Sequence, residues 1–387
     1  MAFSGLSKRI RELPKSNFPA IIRMAEEDKS IISLGIGEPD FPAPKAVKQA
    51  LKNAVDKNFT HYSPTAGRHE LLEAIAKKLK RENKIKIDDP HRQIIATSGS
   101  SEAIMMAIMG IVDIGEELLV PNPGFVTYRP TVELIDAVPV SYNLSSEDGF
   151  QIHVEDIERL CTPKTQGIIV NTPSNPTGTV LKKKVLEEIA DLAIEKNIII
   201  VSDEAYEHLV YDKARHFSIG SLNGMEEHVL SLFSFSKSYA MPGFRLGYAV
   251  GPEKLVNAMQ QFHLYTTLSP NTMSQIAGIT ALEKCGRDVE KMRLEYNRRR
   301  KFLLKGLQGV QGLEIEVAPE GAFYLFPRVT NGMTSEQASK ALIKDAKVLT
   351  APGNEFGTKG EGFVRMSYAT AMPKLKEAVE RMQENFK

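Results

Sequence analysis

Short runs of β-branched and other apolar residues recur along the first two thirds of the chain, separated by segments of helical periodicity. Runs of four or five such residues are typical of strands buried on both faces of a sheet. Between two of them, residues 182–195 place Val185, Ile189 and Leu192 on one stripe, which predicts an amphipathic helix covering the sheet. The seven runs that predict strands are Ile94–Thr97, Leu118–Val120, Val138–Tyr142, Gly167–Val170, Ile198–Val201, Val229–Phe233 and Leu246–Val250.

The pattern changes after Gly286. A charged helical stretch runs from Arg287 to about Leu307, and its basic run, Arg298–Lys301, is interpreted as a solvated helix face. Shorter strand patterns and a final helix then indicate an α+β arrangement. The strand patterns are Leu313–Val317, Ala322–Phe326 and Phe363–Ser367, and the apolar positions of the last helix are Leu375, Val379, Met382 and Phe386.

These patterns predict an α/β protein of two domains. Strands separated mostly by helices favour a large domain with a mainly parallel, seven-stranded sheet, which we assign to residues 46–284. Residues 1–45 are too few for a domain, so we expect them to form an N-terminal arm. Together with residues 285–387, which form a small α+β domain, they complete the chain.

Composition narrows the range of functions. The chain of 387 residues has 49 Lys plus Arg against 48 Asp plus Glu, a net charge of +1 that leaves no electrostatic footprint for nucleic acid or an anionic membrane. Its longest apolar stretch, Ala103–Val112, is well short of the roughly 20 residues of a bilayer span. Cys161 and Cys285 lie far apart, and charge appears by Lys8, before an apolar signal core. We therefore expect a cytoplasmic protein without disulfides.

Several enzyme classes lack their signatures in this chain. There is no Gly-Lys dipeptide for a phosphate loop and no Gly-x-Ser-x-Gly elbow. The segment Gly35–Asp40 begins like a dinucleotide fingerprint but lacks its third Gly, and Pro39 interrupts the required helix start. The 8 His residues include no pair three or four apart, so we expect no helical metal site.

The most informative segment, Ser234–Gly247, follows a buried strand and leads into another. Lys237 is thereby placed at a strand's carboxyl end, where ligands of open α/β sheets bind. Hydroxyls of Ser234 and Ser236, with a bidentate clamp from Arg245, suit a phosphate dianion. A Lys near a cationic Arg in a partly dry site has a lowered pKa, as a Schiff-base amine requires, although a lone Lys on a loop is usually a solvated charge.

This set resembles the class I/II aminotransferases, the pyridoxal-phosphate enzymes of aspartate-aminotransferase fold (fold type I). The likeness covers essentially the whole chain, because the other landmarks of the family appear in family order. These segments are Leu34–Phe41, His61–Gly67, Ser98–Ala103, Pro123–Tyr128, Asn171–Gly178, Asp203–Tyr206 and Phe363–Ala369.

The resemblance implies pyridoxal 5'-phosphate as cofactor and Lys237 as the catalytic residue that forms the Schiff base. It further implies that Asp203 pairs with the pyridine nitrogen, that Tyr206 and Asn175 contact the ring oxygen, and that Phe125 stacks on the ring. The phosphate-binding residues that it implies are Ser100, Ser101, Ser234, Ser236, Arg245 and, from the neighbouring subunit, Tyr62. Taken singly, these positions also read as helix caps, turns or core aromatics.

For the substrate, the resemblance implies contacts from the backbone of Gly37 and from the side chains of Asn175 and Arg365. An Arg inside an apolar strand needs a partner, because burying an unpaired charge is costly. Planar recognition of a carboxylate by the guanidinium would supply that partner.

Two positions depart from the family pattern. Ser101 stands where one prokaryotic branch with aspartate activity has a Lys for the distal carboxylate. Pro242 and Phe244 stand in a segment where relatives commonly show Thr-Gly-Trp-Arg. The segments Tyr206–His216 and Gly321–Pro327 look most like prokaryotic enzymes acting on aromatic or aspartate donors.

We therefore expect an aminotransferase that moves the α-amino group of an L-amino acid, aspartate or an aromatic donor, to 2-oxoglutarate. The resemblance also implies a homodimer with shared active sites. Phe3, Leu6, Ile10 and Leu13 recur at helical spacings, which fits an arm on a neighbouring subunit. Three alternatives remain open: a carbon–sulfur lyase or other eliminating enzyme on this scaffold, a non-catalytic effector-binding domain, and a nicotinamide-dependent dehydrogenase.

Overall fold

The structure is a computed structural model and describes residues 5–13, 16, 19, 22–23 and 27–386. In chain order, the strands of the described residues are β1 (Ile32–Ser33), β2 (Ile94–Thr97), β3 (Glu117–Asn122), β4 (Val138–Asn143), β5 (Thr165–Asn171), β6 (Ile199–Asp203), β7 (Val229–Ser234), β8 (Gly247–Val250), β9 (Leu313–Glu314), β10 (Tyr324–Leu325), β11 (Arg328–Val329), β12 (Val348–Leu349), β13 (Ala351–Pro352) and β14 (Val364–Ser367). The α-helices are Lys8–Glu12, Lys45–Asp56, His69–Lys78, Pro90–Gln93, Ser100–Ile111, Tyr128–Leu134, Val154–Leu160, Lys183–Lys196, Phe235–Ser238, Glu253–Tyr265, Thr272–Lys284, Gly286–Leu307, Ser335–Ala346 and Met372–Asn385.

Seven strands form the central sheet, in the order β2-β8-β7-β6-β5-β3-β4. The pairs on either side of β8 are antiparallel, and every other neighbouring pair is parallel. Each of these strands coincides, within a few residues at its ends, with an apolar run predicted from the sequence. The predicted α/β class with a mainly parallel seven-stranded sheet is confirmed.

The sheet is covered by helices on both faces, and successive residues of its strands face opposite layers. In β5, Ile168 packs in one apolar cluster with Leu186 of the helix Lys183–Lys196, the helix predicted from residues 182–195. The next residue, Ile169, packs in another cluster with Ile104. Burial on both faces explains why these strands read as continuous apolar runs.

Smaller sheets lie outside the central one. β1 pairs in parallel with β12, β14 lies between β10 and β13, and β9 pairs with β11. The strands near 313 and 324 are shorter than predicted, with only two residues each. Because Ser367 donates its N–H to Leu34 O at 2.6 Å, the chain after β1 is held beside β14. The division of the chain at residues 46–284 stays a prediction about domain boundaries.

One prediction is wrong for part of a helix. The run Arg298–Lys301 lies in the helix Gly286–Leu307, but Arg299 and Arg300 are each only 5% exposed. Arg299 pairs with Asp40 at 2.8 Å, and Arg300 pairs with Asp212. Four successive helical residues point in directions spread over roughly 300°, so a basic run of this length cannot all face solvent when one side of the helix is packed.

The N-terminal segment is described only in part. The helix Lys8–Glu12 is exposed, and Arg9 pairs with Asp136 at 2.9 Å. Leu6 and Ile10 of the predicted arm are more than half exposed, whereas Phe3 lies outside the described residues. Among the helices of the described residues, none is long and apolar enough to cross a membrane.

Candidate active site

The predicted site residues come together at the carboxyl edge of the central sheet. They line a cavity of about 360 Å³, a size typical of small-molecule sites. The sequence-predicted residues among those lining it are Gly37, Ser100, Ser101, Phe125, Asn175, Asp203, Tyr206, Ser234, Ser236, Lys237, Arg245 and Arg365. Tyr62 does not line this cavity; it is 82% exposed and borders a separate surface depression with Pro270 and Thr272.

Lys237 lies in a helical turn, Phe235–Ser238, that follows β7 directly. Its Nζ donates a hydrogen bond to Gly37 O at 2.5 Å. Burial, together with the positive charges of Arg365 and Arg245, lowers the pKa of Lys237 to about 8, although two carboxylates act in the opposite direction. A substantial fraction of this amine is therefore neutral, and hence nucleophilic, in mildly alkaline solution.

Asp203 is the last residue of β6 and is almost fully buried. Its Oδ2 accepts a hydrogen bond from Tyr128 Oη at 2.6 Å, and its Oδ1 accepts one from the Ala205 N–H at 3.1 Å. Burial raises the pKa of Asp203, while both hydrogen bonds act against that rise. Asp203 thus caps the following turn and also lines the cavity, so a structural role as a cap does not exclude a role in binding a ligand.

Arg365 lies inside β14, with its guanidinium 4.4 Å from the ring centre of Tyr324 and 4.7 Å from that of Phe356. Nη1 donates to Asn175 Oδ1 at 2.8 Å, and Nη2 donates to Gly35 O at 2.7 Å. Burial lowers the pKa of Arg365.

The Nε of Arg365 is buried without a hydrogen-bond partner, and no described carboxylate forms a salt bridge with this guanidinium. Its neighbours are neutral dipoles and aromatic rings, which compensate a buried charge only in part. The cavity is therefore lined by a cation whose charge no described carboxylate balances. An anion, in particular a carboxylate, is the natural complement.

The N-terminus of the helix Ser100–Ile111 forms another wall of the cavity. A Ser cap was one sequence interpretation, but the capping position is Gly99, at φ +81°, and no side chain caps the helix. A Cβ at Gly99 would lie 2.5 Å from Arg245 Nη2, so the guanidinium fits against a bare backbone. Free N–H groups of a helix start, serine hydroxyls and an Arg together suit a phosphate.

Two tyrosines near the cavity were missed as site residues by the sequence reasoning. Tyr324 Oη lies 2.8 Å from Tyr206 Oη, and a side chain on Gly37 would collide with that Tyr324 hydroxyl. Tyr128 holds Asp203, and its ring meets the Phe125 ring edge-on, with centroids 5.6 Å apart. The only local signal was the three-residue spacing of Phe125 and Tyr128, which places both on one side of a helical turn.

The residues present fit pyridoxal phosphate at each of its functional groups. The bare helix start with Arg245 suits the phosphate, buried Asp203 suits a protonated pyridine nitrogen, and Lys237 offers an amine of lowered pKa. Within the part of the chain that the structure describes, no group of three or more His, Cys, Asp or Glu side chains is placed to hold a metal ion.

Known proteins resemble this chain over nearly its full length. Residues 29–382 match the family model for aminotransferase class I and II. The sequence is 44% identical to an aspartate aminotransferase of Pyrococcus abyssi, over 98% of this chain and 97% of that protein. It is 46% identical to aromatic-amino-acid aminotransferase 2 of Thermococcus litoralis, over 99% of this chain and 98% of that protein.

Solved structures agree with this similarity. The fold matches that of the aspartate aminotransferase from Thermus thermophilus with maleate at a TM-score of 0.93 and 37% identity, covering 99% of this chain and 100% of that one. These similarities do not favour the lyase, the effector-binding domain or the dehydrogenase.

Proposed function

The chain belongs to the class I and II aminotransferases, and we propose that it transfers the α-amino group of aspartate or an aromatic L-amino acid to 2-oxoglutarate. It is a pyridoxal-phosphate-dependent transaminase that acts on amino acids. The observation that carries the assignment of its site is Arg365, a buried cation without a carboxylate partner among the described residues, which lines the same cavity as Lys237. A guanidinium placed there selects for substrates with a carboxylate beside the reacting carbon.

Pyridoxal phosphate, when bound, supplies a carbonyl that takes up the amino group and a protonated ring that takes up the charge left at the α-carbon. In our proposal Lys237 and Asp203 hold its two reactive ends, and Tyr206 and Asn175 contact the ring. Phe125 covers the ring face. The residues that would bind its phosphate are Ser100, Ser101, Ser234, Ser236, Arg245 and the partner subunit's Tyr62.

The proton that must leave the α-carbon goes to Lys237 in this proposal. Its Nζ has a pKa lowered to about 8, mainly by burial, so the free amine can accept a proton and give it back. Arg365 binds the α-carboxylate, and the backbone of Gly37 contacts the substrate beside it. Together these contacts orient the α-hydrogen toward the amine of Lys237. Holding this orientation accounts for a large part of the rate enhancement, because the reacting groups are already in the geometry that proton transfer requires.

Donor choice follows from what else lines the cavity. Its described cations are Lys237, Arg245 and Arg365, and Ser101 supplies no further charge. The apolar side chains of Ile36, Val126 and Phe356 line the same space and suit an aromatic ring. Aromatic donors should therefore be accepted alongside dicarboxylates, as the names of both relatives would suggest.

Two measurements test this proposal. Borohydride reduction should fix the cofactor on Lys237, and the labelled peptide identifies the residue by mass spectrometry. Steady-state assays with 2-oxoglutarate should show turnover with phenylalanine, tyrosine and aspartate. A label on another residue would overturn the assignment of the site, and strict activity on aspartate and glutamate would overturn the proposed donor range.

We also propose a homodimer that shares its active sites and works in the cytoplasm. Support for sharing comes from Tyr62, whose side chain is 82% exposed although the neighbouring His61 O is held by Thr272 Oγ1 at 2.8 Å. A fixed segment that presents an exposed aromatic ring is suited to reach a second subunit. The cytoplasmic location rests on the sequence pattern and stays a prediction.

A further inference from the structure

A chain of three polar side chains outside the cavity ends at Ser238, the residue that follows Lys237 in the sequence. His208 Nδ1 lies 2.9 Å from Ser238 Oγ, and His208 Nε2 lies 2.9 Å from Glu82 Oε2. None of the three lines the cavity described above. We call Glu82, His208 and Ser238 the relay.

The relay connects the protein surface to the turn that carries the reactive amine. Its outer end is accessible, since the side chains of Glu82 and His208 are 33% and 22% exposed. Its inner end, Ser238, is 1% exposed and directly follows Lys237 in the turn Phe235–Ser238. A proton can therefore reach His208 from solvent without passing through the substrate cavity.

Hydrogen-bonding rules restrict what the relay can do. A carboxylate only accepts hydrogen bonds, so His208 Nε2 must carry a hydrogen and donate it to ionised Glu82. Neutral His208 must then accept at Nδ1 from the Ser238 hydroxyl, whereas charged His208 must donate there to Ser238 Oγ. Protonation of His208 thus reverses the hydrogen bond at the residue beside Lys237.

Charged groups around His208 keep both of its carboxylate neighbours ionised. Burial opposes this at Glu82, but His208 and Arg81 outweigh it and lower the pKa of Glu82 to about 2. Burial likewise opposes ionisation of Glu207, yet Lys78 and His208 lower its pKa. Glu207 Oε1 lies 3.7 Å from His208 Nδ1, and Lys78 pairs with Glu207.

The imidazole also meets the ring of Tyr239 edge-on, with centroids 5.9 Å apart. Burial raises the pKa of Tyr239 well above its usual range, so this phenol stays neutral. Glu82 and Glu207 are therefore held ionised, and Tyr239 is held neutral, around the imidazole.

We propose that His208 is a positioning residue for Lys237. Its protonation reverses the hydrogen bond to Ser238 and thereby changes the hydrogen bonding of the turn that holds the amine. The inference rests on the proposed function only in taking Lys237 as the reactive amine. His208 touches neither substrate nor cofactor in this proposal, because it acts through Ser238.

The test measures Lys237 itself. In cofactor-free protein, the rate at which an amine-specific reagent modifies Lys237 is followed by mass spectrometry of its peptide from pH 5.5 to 9.5. In loaded enzyme, the absorption band of the bound cofactor is titrated over the same range. The variants are His208→Gln, Ser238→Ala and the double variant, and the matched control is His228→Gln, which replaces a histidine that contacts Ile198 O elsewhere.

We expect His208→Gln and Ser238→Ala each to shift the midpoint for Lys237 modification by at least 0.3 pH unit. The double variant should shift it no further than the larger single shift, because residues that act in series are not additive. His228→Gln should match the wild type within 0.1 unit. A single variant without a shift, or shifts that simply add, would overturn the relay.

Two provisions keep the outcome clear. If His208→Gln does not fold, as judged by circular dichroism, Glu82→Gln is measured in its place, both alone and combined with Ser238→Ala. Alone it must shift the midpoint for Lys237 modification, and in the Ser238→Ala background it must cause no further shift. Borohydride labelling of each preparation reports separately on the proposed function. A label away from Lys237 overturns that function, whereas the modification rates in cofactor-free protein still decide whether the relay exists.

Discussion

Arg365 shows how much one buried side chain constrains the chemistry. Its guanidinium lies between two aromatic rings, with hydrogen bonds to Asn175 and Gly35 but no described carboxylate partner. Such a site is stable only because strong neighbouring contacts hold it, and an incoming carboxylate would complete them. The residue that looks unsatisfied in the protein alone is thereby the one best prepared for substrate.

Arg365→Lys should raise KM for every amino donor at least tenfold. A point charge replaces a two-pronged donor, and the loss of one charge-assisted hydrogen bond costs about 1.5–3 kcal/mol. Steady-state kinetics with an aromatic donor and with aspartate measure the change. Arg328→Lys is the matched control, because Arg328 is 37% exposed and pairs with Glu316 outside the cavity. Equal KM values in the two variants would contradict the assigned role.

Asp203→Asn should retain the cofactor but lose most of its half-reaction rate, by about 100-fold or more. The phosphate-binding end is untouched, whereas a neutral amide cannot keep the ring nitrogen protonated. Absorbance of the purified variant measures retention, and stopped-flow mixing with an amino donor measures the rate. Near-normal turnover would show that Asp203 serves only to accept the Ala205 N–H.

Local sequence pattern drew attention to some of the predicted site residues, whereas their roles came from the resemblance to the family. Lys237 and Asp203 stand at the ends of apolar runs, and Arg365 interrupts one. Tyr128 and Tyr324 escaped because their hydrogen bonds join residues 75 and 118 positions apart. Such contacts depend on how strands are ordered in the sheet and on how β10 reaches its edge, which no local pattern encodes.

At the scale of elements, the start of the helix Ser100–Ile111 is the most sensitive point. Gly99→Ala should weaken cofactor binding at least tenfold while the protein remains folded. A side chain there meets a strained φ of +81° and would lie 2.5 Å from Arg245 Nη2, so the guanidinium must move. Equilibrium titration of cofactor-free protein with pyridoxal phosphate measures the affinity.

Gly110→Ala is the matched control in the same helix. A Cβ at Gly110 meets only the Cβ of Ala258, at 3.9 Å, so the substitution should leave cofactor affinity unchanged. It should also stabilise the helix slightly, by about 0.5–1 kcal/mol. A loss of affinity in both variants would mean that the helix as a whole, and not the Arg245 contact, is responsible.

The helix Gly286–Leu307 places two adjacent arginines, which look equivalent in the sequence, in different surroundings: one is exposed and the other is buried. Arg299→Ala should lower the free energy of unfolding by about 1–2 kcal/mol, because it removes a buried side chain together with its ion pairs to Asp40 and Glu295. Arg298→Ala should leave it nearly unchanged, since Arg298 is 60% exposed and, among the described residues, forms an ion pair with Glu295 alone. Urea denaturation measures both, and equal effects would contradict the burial that distinguishes them.

At the scale of the whole molecule, the period of the apolar pattern determined the fold class well. Runs buried on both faces, separated by helices, imply a parallel sheet, and a parallel sheet gathers the carboxyl ends of its strands at one edge. That rule alone brings Asp203 and the Lys237 turn together. It does not bring Gly37 or Arg365, which reach the cavity through β1, β12 and β14 in the smaller sheets. These two-residue pairings have too little pattern to be predicted.

Assembly is the remaining question at this scale, and Tyr62 makes it testable. We expect a Lys237→Ala chain and a Tyr62→Ala chain each to be inactive as homodimers. If Tyr62 completes the site of the partner subunit, a mixed dimer has one site carrying both defects and one site carrying neither. With random exchange half of the dimers are mixed, so activity should return to about a quarter of the wild-type value.

The control for this mixing experiment uses two residues of one cavity. Lys237 and Asp203 line the same cavity within a single chain, so mixing Lys237→Ala with Asp203→Ala leaves one defect in every site and should restore nothing. Subunit exchange is verified by mass spectrometry of differently tagged chains. Recovery in the first mixture and not in the second would require Tyr62 to act across the interface. No recovery in either mixture despite complete exchange would contradict sharing of the sites across the interface, and a Tyr62→Ala homodimer that stays active would place Tyr62 outside the catalytic machinery.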